Sequence, residues 1–141
     1  MKITQDQINS FIKGYLTAAL WSSTDTLPSS RDNPDNDGET VNLDDFEWAD
    51  GEDVKLHGDC VDFIATYEAD LLTYAEERNF HPGGYDVWEC AGHDFWLTRN
   101  GHGVGYWDRC LGELGQRLTA ASKTYGCVDL YLGNDELVYV G

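Results

Sequence analysis

Positive charge is what this chain has least of: nine Lys and Arg stand against 26 Asp and Glu, a formal net charge of −17 over 141 residues. Proteins that grip nucleic acid use clustered Lys and Arg to displace counterions from phosphate, so direct nucleic-acid binding is excluded. The same sign argument excludes an anionic membrane surface. Long apolar runs are missing too, none approaching the roughly 18 residues that a bilayer-spanning helix needs. The opening MKITQDQINSFIKGYLTAALW lacks the charged, apolar, small-residue order of a secretory leader, so the expected location is the cytoplasm. No C-x-x-C pair occurs among Cys60, Cys90, Cys110 and Cys127. Neither a zinc knuckle nor a redox motif is signalled, and the cysteines are expected to serve as small buried apolar residues, with no cofactor implied.

What is present is enough for one core. With 41% hydrophobic and 13% aromatic residues, residues 1–141 are expected to form a single domain burying about two-thirds of the surface of the unfolded chain. Thr4 and Gln7 make a capping-box pattern, and Ile8, Phe11, Ile12, Tyr15, Ala19 and Leu20 follow at helical spacing, which predicts a helix over 5–22. A second helix is predicted over 59–79 from the stripe Val61, Ile64, Tyr67, Leu71 and Ala75, stopped by HPGG at His81–Gly84. YDVWEC and HDFWLTRN read as two antiparallel strands, and a third helix is expected from Asp108 or Leu111 to Tyr125, ended by Gly126. VDLYLGNDELVYVG reads as a hairpin turning at Gly133, Asn134 and Asp135. The fold class expected is therefore α+β, with three helices packed on an antiparallel sheet of about four strands in two layers.

The acidity is local. An irregular insertion is expected at about 23–55, where periodicity stops and Ser, Asp, Asn and Gly accumulate. Asp25 to Asp62 holds 13 acids against Arg31 and Lys55, a net of −11. Within it NPDNDGETVNLD resembles a calcium loop of the EF-hand type, with Asn33, Asp35, Asp37, Glu39 and Asp44 as oxygen donors and Gly38 at the turn. Pro34 and the short Asp44 in place of Glu depart from that pattern. The alternative is an acidic, turn-rich loop. A further reading treats the acids as a nucleic-acid mimic. Duplex DNA presents a charge every ~1.7 Å, so carboxylates arrayed along a face can occupy a basic groove. The partner-binding residues on this reading are Asp35, Asp37, Glu39, Asp44, Asp45, Glu47, Asp50, Glu52, Asp53, Asp59 and Asp62, with Trp48 and Phe46 as aromatic anchors. Plain solvation, or a halophilic source, would leave the same composition.

GHDFWLTRNGHGVGYWDR, Gly92 to Arg109, concentrates His93, Asp94, Arg99, His102, Asp108 and Arg109, types that could supply a base, an orienting carboxylate and an anion clamp. An enzyme or metal-dependent module would centre on His93, Arg99 and His102. If the segment is a regular strand, His93 and Asp94 point to opposite faces. The G-x-G-x-G pattern has no following lysine, so a phosphate-cradling loop is a poor match. The packing alternative makes Asp108 the N-cap of the third helix, pairs Arg109 with an acid of the second, and puts Trp96 and Trp107 in or near the core.

This stretch resembles a family of small uncharacterised tailed-bacteriophage proteins, and VDLYLGNDELVYVG is similar to their ends. The resemblance covers about the last 60 of the 141 residues and implies a phage setting, hence the bacterial cytoplasm during infection, with no catalytic residue or ligand attached. Small acidic phage proteins of that setting include DNA mimics with anti-restriction or anti-CRISPR action, by analogy of charge. The expected function is a non-enzymatic counter-defence or host-takeover inhibitor that binds a host nucleic-acid-binding protein at its basic cleft. A phage structural or assembly protein is the other alternative.

Overall fold

Thr4 starts the first helix as its sequence predicts, its Oγ accepting from the Gln7 N–H at 3.2 Å while the Gln7 side chain accepts from the Thr4 N–H at 2.8 Å. The computed structural model describes residues 2–27, 39–78, 86–102, 105–109 and 111–141. Helix α1 (Gln5–Trp21) leads into strand β1 (Thr24–Thr26), which pairs antiparallel with β2 (Thr40–Asn42), Asp25 opposite Val41. Two 3-10 turns, Leu43–Asp45 and Val54–Leu56, carry the chain into α2 (His57–Thr66). Then come α3 (Glu68–Glu77), α4 (Val87–Arg99), a 3-10 turn at Tyr106–Asp108 and α5 (Glu113–Lys123). The ribbon β3 (Leu130–Leu132) and β4 (Val138–Val140) ends the chain, Tyr131 opposite Tyr139.

The architecture corrects the expected three helices on a four-stranded sheet. Among the described residues the chain is mostly helical, with five α-helices and two separate two-stranded ribbons. The difference lies chiefly in α4, where two strands were predicted. Asp86 caps that helix, its carboxylate accepting from the Glu89 N–H at 2.8 Å. Ten of its 13 residues, from Trp88 to Arg99, are buried. A helix buried on nearly every side has no polar face and so loses the 3.6-residue signature, leaving aromatic and apolar runs that read as strand. The predicted second helix is divided at Tyr67, whose ring lies 5.1 Å from that of Phe63. The HPGG stop lies outside the described residues. The third helix begins later than predicted: Gly112, rather than Asp108, occupies the N-cap position of α5. The closing hairpin forms as read, with the Gly133 N–H donating to the Leu137 carbonyl at 2.8 Å.

Helix α4 is the axis of the molecule. It crosses α1 so closely that a Cβ on Gly14 would lie 1.9 Å from the Glu89 carbonyl oxygen, and one on Gly92 would lie 1.9 Å from that of Phe11. Around this crossing Phe11, Tyr15, Phe63, Phe95, Trp96 and Tyr106 are buried as an aromatic core, with Phe63 and Phe95 stacked at 4.1 Å. The described parts of the expected irregular insertion are tied to the rest by hydrogen bonds. Ala49 donates to Val138 at 2.9 Å, Val138 donates to Glu47 at 2.8 Å, and the Leu132 N–H donates to the Asp25 carboxylate at 2.7 Å.

Candidate functional site

The charged residues of Gly92 to Arg109 sit on or just beyond α4, and the helix sends them in different directions. Successive residues on an α-helix are turned by about 100°, so His93, Asp94 and Arg99 cannot share a face. Asp94 points inward and is 1% exposed. It accepts from the Tyr74 hydroxyl at 2.7 Å and from Arg78 Nη1 at 2.9 Å, while Arg109 Nη2 closes on its other oxygen at 2.8 Å. Arg78 also donates to the Tyr74 hydroxyl. A buried carboxylate is tolerated when cations and donors occupy its lone pairs, and here two guanidiniums and a phenol do so. The Arg109 bond predicted to an acid of the second helix is thus made to Asp94 of α4.

Arg99, expected as an anion clamp in the enzyme reading, is a second internal centre. Its Nε donates to the Gly126 carbonyl at 2.9 Å, Nη1 to the Tyr15 hydroxyl at 2.9 Å and to Asp59 at 2.9 Å, and Nη2 to the Tyr125 carbonyl at 2.8 Å. Its guanidinium also lies 5.5 Å from the Phe95 ring centre. These bonds use four of the five guanidinium N–H groups, which fixes the arginine as a clasp between α4, α1, α2 and the turn after α5. Burial pushes the hydroxyl of Tyr15 and the thiol of Cys60 well up, with Arg99 opposing in both cases.

His93 and His102 face two different clefts. His93 is half-buried beside Trp21, ring centres 5.7 Å apart, and with Thr17 and Asp44 they line a cleft of about 290 Å³. Burial lowers the affinity of His93 for its proton; Asp94 opposes this and Arg109 and Arg78 reinforce it. His102 lines the other cleft, of about 270 Å³, with Trp96, Asn100, Cys127 and Asp129 among its walls. The three residues of the enzyme reading are therefore not brought together. Trp96 is buried and gives its indole N–H to the Ser22 hydroxyl at 2.7 Å. Trp107, expected in or near the core, is 53% exposed.

The acids expected to bind a partner divide into two sets. Glu39, Asp44, Asp45, Glu47, Asp50 and Asp62 are exposed. Glu52 is buried, one carboxylate oxygen accepting from the Val140 N–H at 3.1 Å and the other from Lys55 at 2.8 Å, which holds its carboxyl below the usual range. Asp59 is engaged with Arg99 and Asp62 accepts from the Tyr125 hydroxyl at 2.6 Å. Asp53 is half-buried at the start of the second 3-10 turn. Trp48 and Phe46, expected as anchors, pack partly against the core, and Trp48 bridges to Val138. Asp35, Asp37 and Asn33 lie outside the described residues, as does most of the calcium-type loop. Of its donors only Glu39 and Asp44 are described, at either end of β2. Among the described residues no group of three or more His, Cys, Asp or Glu could hold a metal ion.

The cations complete the electrostatic picture. Every described arginine is paired with a carboxylate: Arg78 and Arg109 with Asp94, Arg99 with Asp59, and Arg117 with Asp70. Arg78 and Arg99 have side chains only 5% and 2% exposed. Sequence reading missed this hub, because Asp94 and Arg78 are brought together only by the packing of α4 on α3. It also missed the Trp21 cleft, whose one legible sign was an aromatic at the very end of the first helical stripe.

Comparison with protein-family models, curated proteins and solved structures returned no match. No helix among the described residues is long and apolar enough to cross a membrane.

Proposed function

We propose that this is a phage-encoded inhibitory protein that presents carboxylates to the basic, nucleic-acid-binding cleft of a host protein in the bacterial cytoplasm. One observation carries the reading: the guanidiniums of Arg78 and Arg99 are buried in internal ion pairs while Asp44, Asp45, Glu47 and Asp50 stay exposed on a segment held by backbone bonds. The exposed turn acids Asp135 and Glu136 lie just before Val138, which bonds to both Glu47 and Ala49. Carboxylates from two stretches thus border the same β4 junction. Such a surface steers a basic partner and repels nucleic acid itself. Glu52 and Asp59 belong to the framework on this reading.

The test is affinity capture from lysate of infected host cells, at low and high salt, with the wild-type chain and with Asp44→Asn, Asp45→Asn, Glu47→Gln and Asp50→Asn combined. A basic nucleic-acid-binding protein is expected on the wild type, released by salt and by added duplex DNA, and absent from the variant. Equal capture by a variant that melts like the wild type would refute the reading.

A further inference from the structure

The cleft between the end of α1 and the middle of α4 has the chemistry of an arginine socket. Trp21 is the last residue of α1 and is 55% exposed, yet its ring is braced at 5.7 Å by His93. Its backbone is fixed as well, and by the same side chain that fixes Asp44. Asn42 Nδ2 donates to the Trp21 carbonyl at 2.9 Å, and Asn42 Oδ1 accepts from the Asp44 N–H at 2.8 Å. One amide thus ties the backbone at Trp21 to the backbone at the exposed Asp44. Among the described residues no cation pairs with Asp44.

Three physical features of the cleft favour a cation. The face of an indole attracts a guanidinium more strongly than any other side-chain ring. The last turn of α1 carries no basic residue, so the partial negative charge at that helix end is not met within its own turn. Burial of His93 disfavours its protonation, so the imidazole does not bring a competing charge near neutral pH. The volume of about 290 Å³ falls at the lower edge of the roughly 300–1,000 Å³ of small-molecule pockets, which suits one side chain better than a whole ligand. Arginine fits better than lysine, because its planar fork can lie on the indole and meet a carboxylate edge-on.

We propose that this cleft receives an arginine side chain of the basic partner, stacked on Trp21 and ion-paired with Asp44. The inference rests on the inhibitory reading above and adds to it a specific anchor within an otherwise diffuse field. It is tested by titrating the ¹⁵N-labelled full chain with a nona-arginine peptide and, separately, with nona-lysine. The Trp21 indole N–H signal, assigned from Trp21→Phe, should shift to saturation with nona-arginine. Trp21→Ala and Asp44→Asn should each weaken nona-arginine binding about tenfold with less effect on nona-lysine, while Trp21→Phe retains part of the affinity. Unchanged melting temperatures serve as the folding control.

Equal binding of nona-arginine by the wild type and Trp21→Ala would overturn the socket while leaving the inhibitory reading intact. A socket that responds as described, with the host partner still captured after the acids are neutralised, would instead sink the inhibitory reading and the partner's arginine as occupant, leaving only an arginine-binding cleft. A Trp21 shift that follows protein concentration without peptide would place a second copy of the chain in the cleft and overturn the proposal.

Discussion

Gly14 of α1 lies against the Glu89 carbonyl of α4, so that even one added carbon would sit 1.9 Å from that oxygen. Because the obstacle is backbone, no rotamer change can relieve it, and Gly92 meets the Phe11 carbonyl in the same way from the other helix. Gly14→Ala is therefore expected to destabilise despite the better helix propensity of alanine, which alone would contribute roughly 1 kcal/mol in the opposite direction. Separating the helices should cost at least the roughly 1–3 kcal/mol of ordinary overpacking. Urea unfolding checks this, with Gly58→Ala as the control, because a Cβ at Gly58 meets nothing within 4 Å.

Asp94 holds two arginines that come from opposite directions along the chain, one before α4 and one after it. Removing the carboxylate leaves Arg78 buried with its main countercharge gone. Asp94→Ala is expected to cost about 3–5 kcal/mol, the usual penalty for breaking one half of a buried pair. Arg109→Ala should cost less, since its side chain is 25% exposed and Asp94 keeps Arg78 and the Tyr74 hydroxyl. Equal losses from the two variants in chemical denaturation would contradict this ordering.

These two centres mark what the sequence could and could not show. The capping box at Thr4, the stripe that follows it and the closing hairpin were legible because each is written in neighbouring residues whose polar and apolar faces differ. Helix α4 was not: with Trp88, Phe95, Trp96 and Leu97 all buried, its faces are alike, and its one glycine, Gly92, reads as a strand break although it is a contact with α1. The exposed acids of 44–50 could be named from composition, but composition could not tell Asp44, Asp45 and Glu47 from Glu52, whose carboxylate is turned to Val140 and Lys55. That distinction depends on where β4 lies, which is a long-range fact. The bonds of Arg99 were hidden for the same reason, since its partners Asp59, Tyr15 and Tyr125 are scattered along the chain.

His93 gives a pH dependence with a defined sign. In the unfolded chain its pKa takes the ordinary value of 6.5, and in the folded protein burial sets it lower. Between those two values the unfolded state holds more protons, so stability rises with pH across that window. The contribution is complete above about 6.5 and is lost as pH falls through the lower, folded value. His93→Gln should flatten the profile of urea midpoint against pH as pH falls from about 6.5. A wild-type midpoint that does not decline on acidification through that range would contradict the assignment.

Arg99 and His102 stand three residues apart in the sequence, and their substitution should separate framework from surface. Arg99→Met removes donors to Tyr15, Asp59 and two carbonyls at 125 and 126. It leaves Tyr15 buried without a charged donor, and the expected loss is about 3–5 kcal/mol. Arg99→Lys keeps the charge but cannot reproduce a fork that meets acceptors on several sides, so it should recover only a minor part of that loss. His102 is exposed, and its backbone N–H donates to the Leu97 carbonyl at 3.1 Å, a bond that alanine retains. His102→Ala should therefore change stability by no more than about 0.5 kcal/mol. Binding to the captured partner should also survive it, since the imidazole lines the cleft with Asn100 and Cys127 rather than the one with Trp21 and Asp44. A His102→Ala variant that melts normally yet loses partner binding would shift the functional surface to the Cys127 side of the molecule and away from the exposed acids.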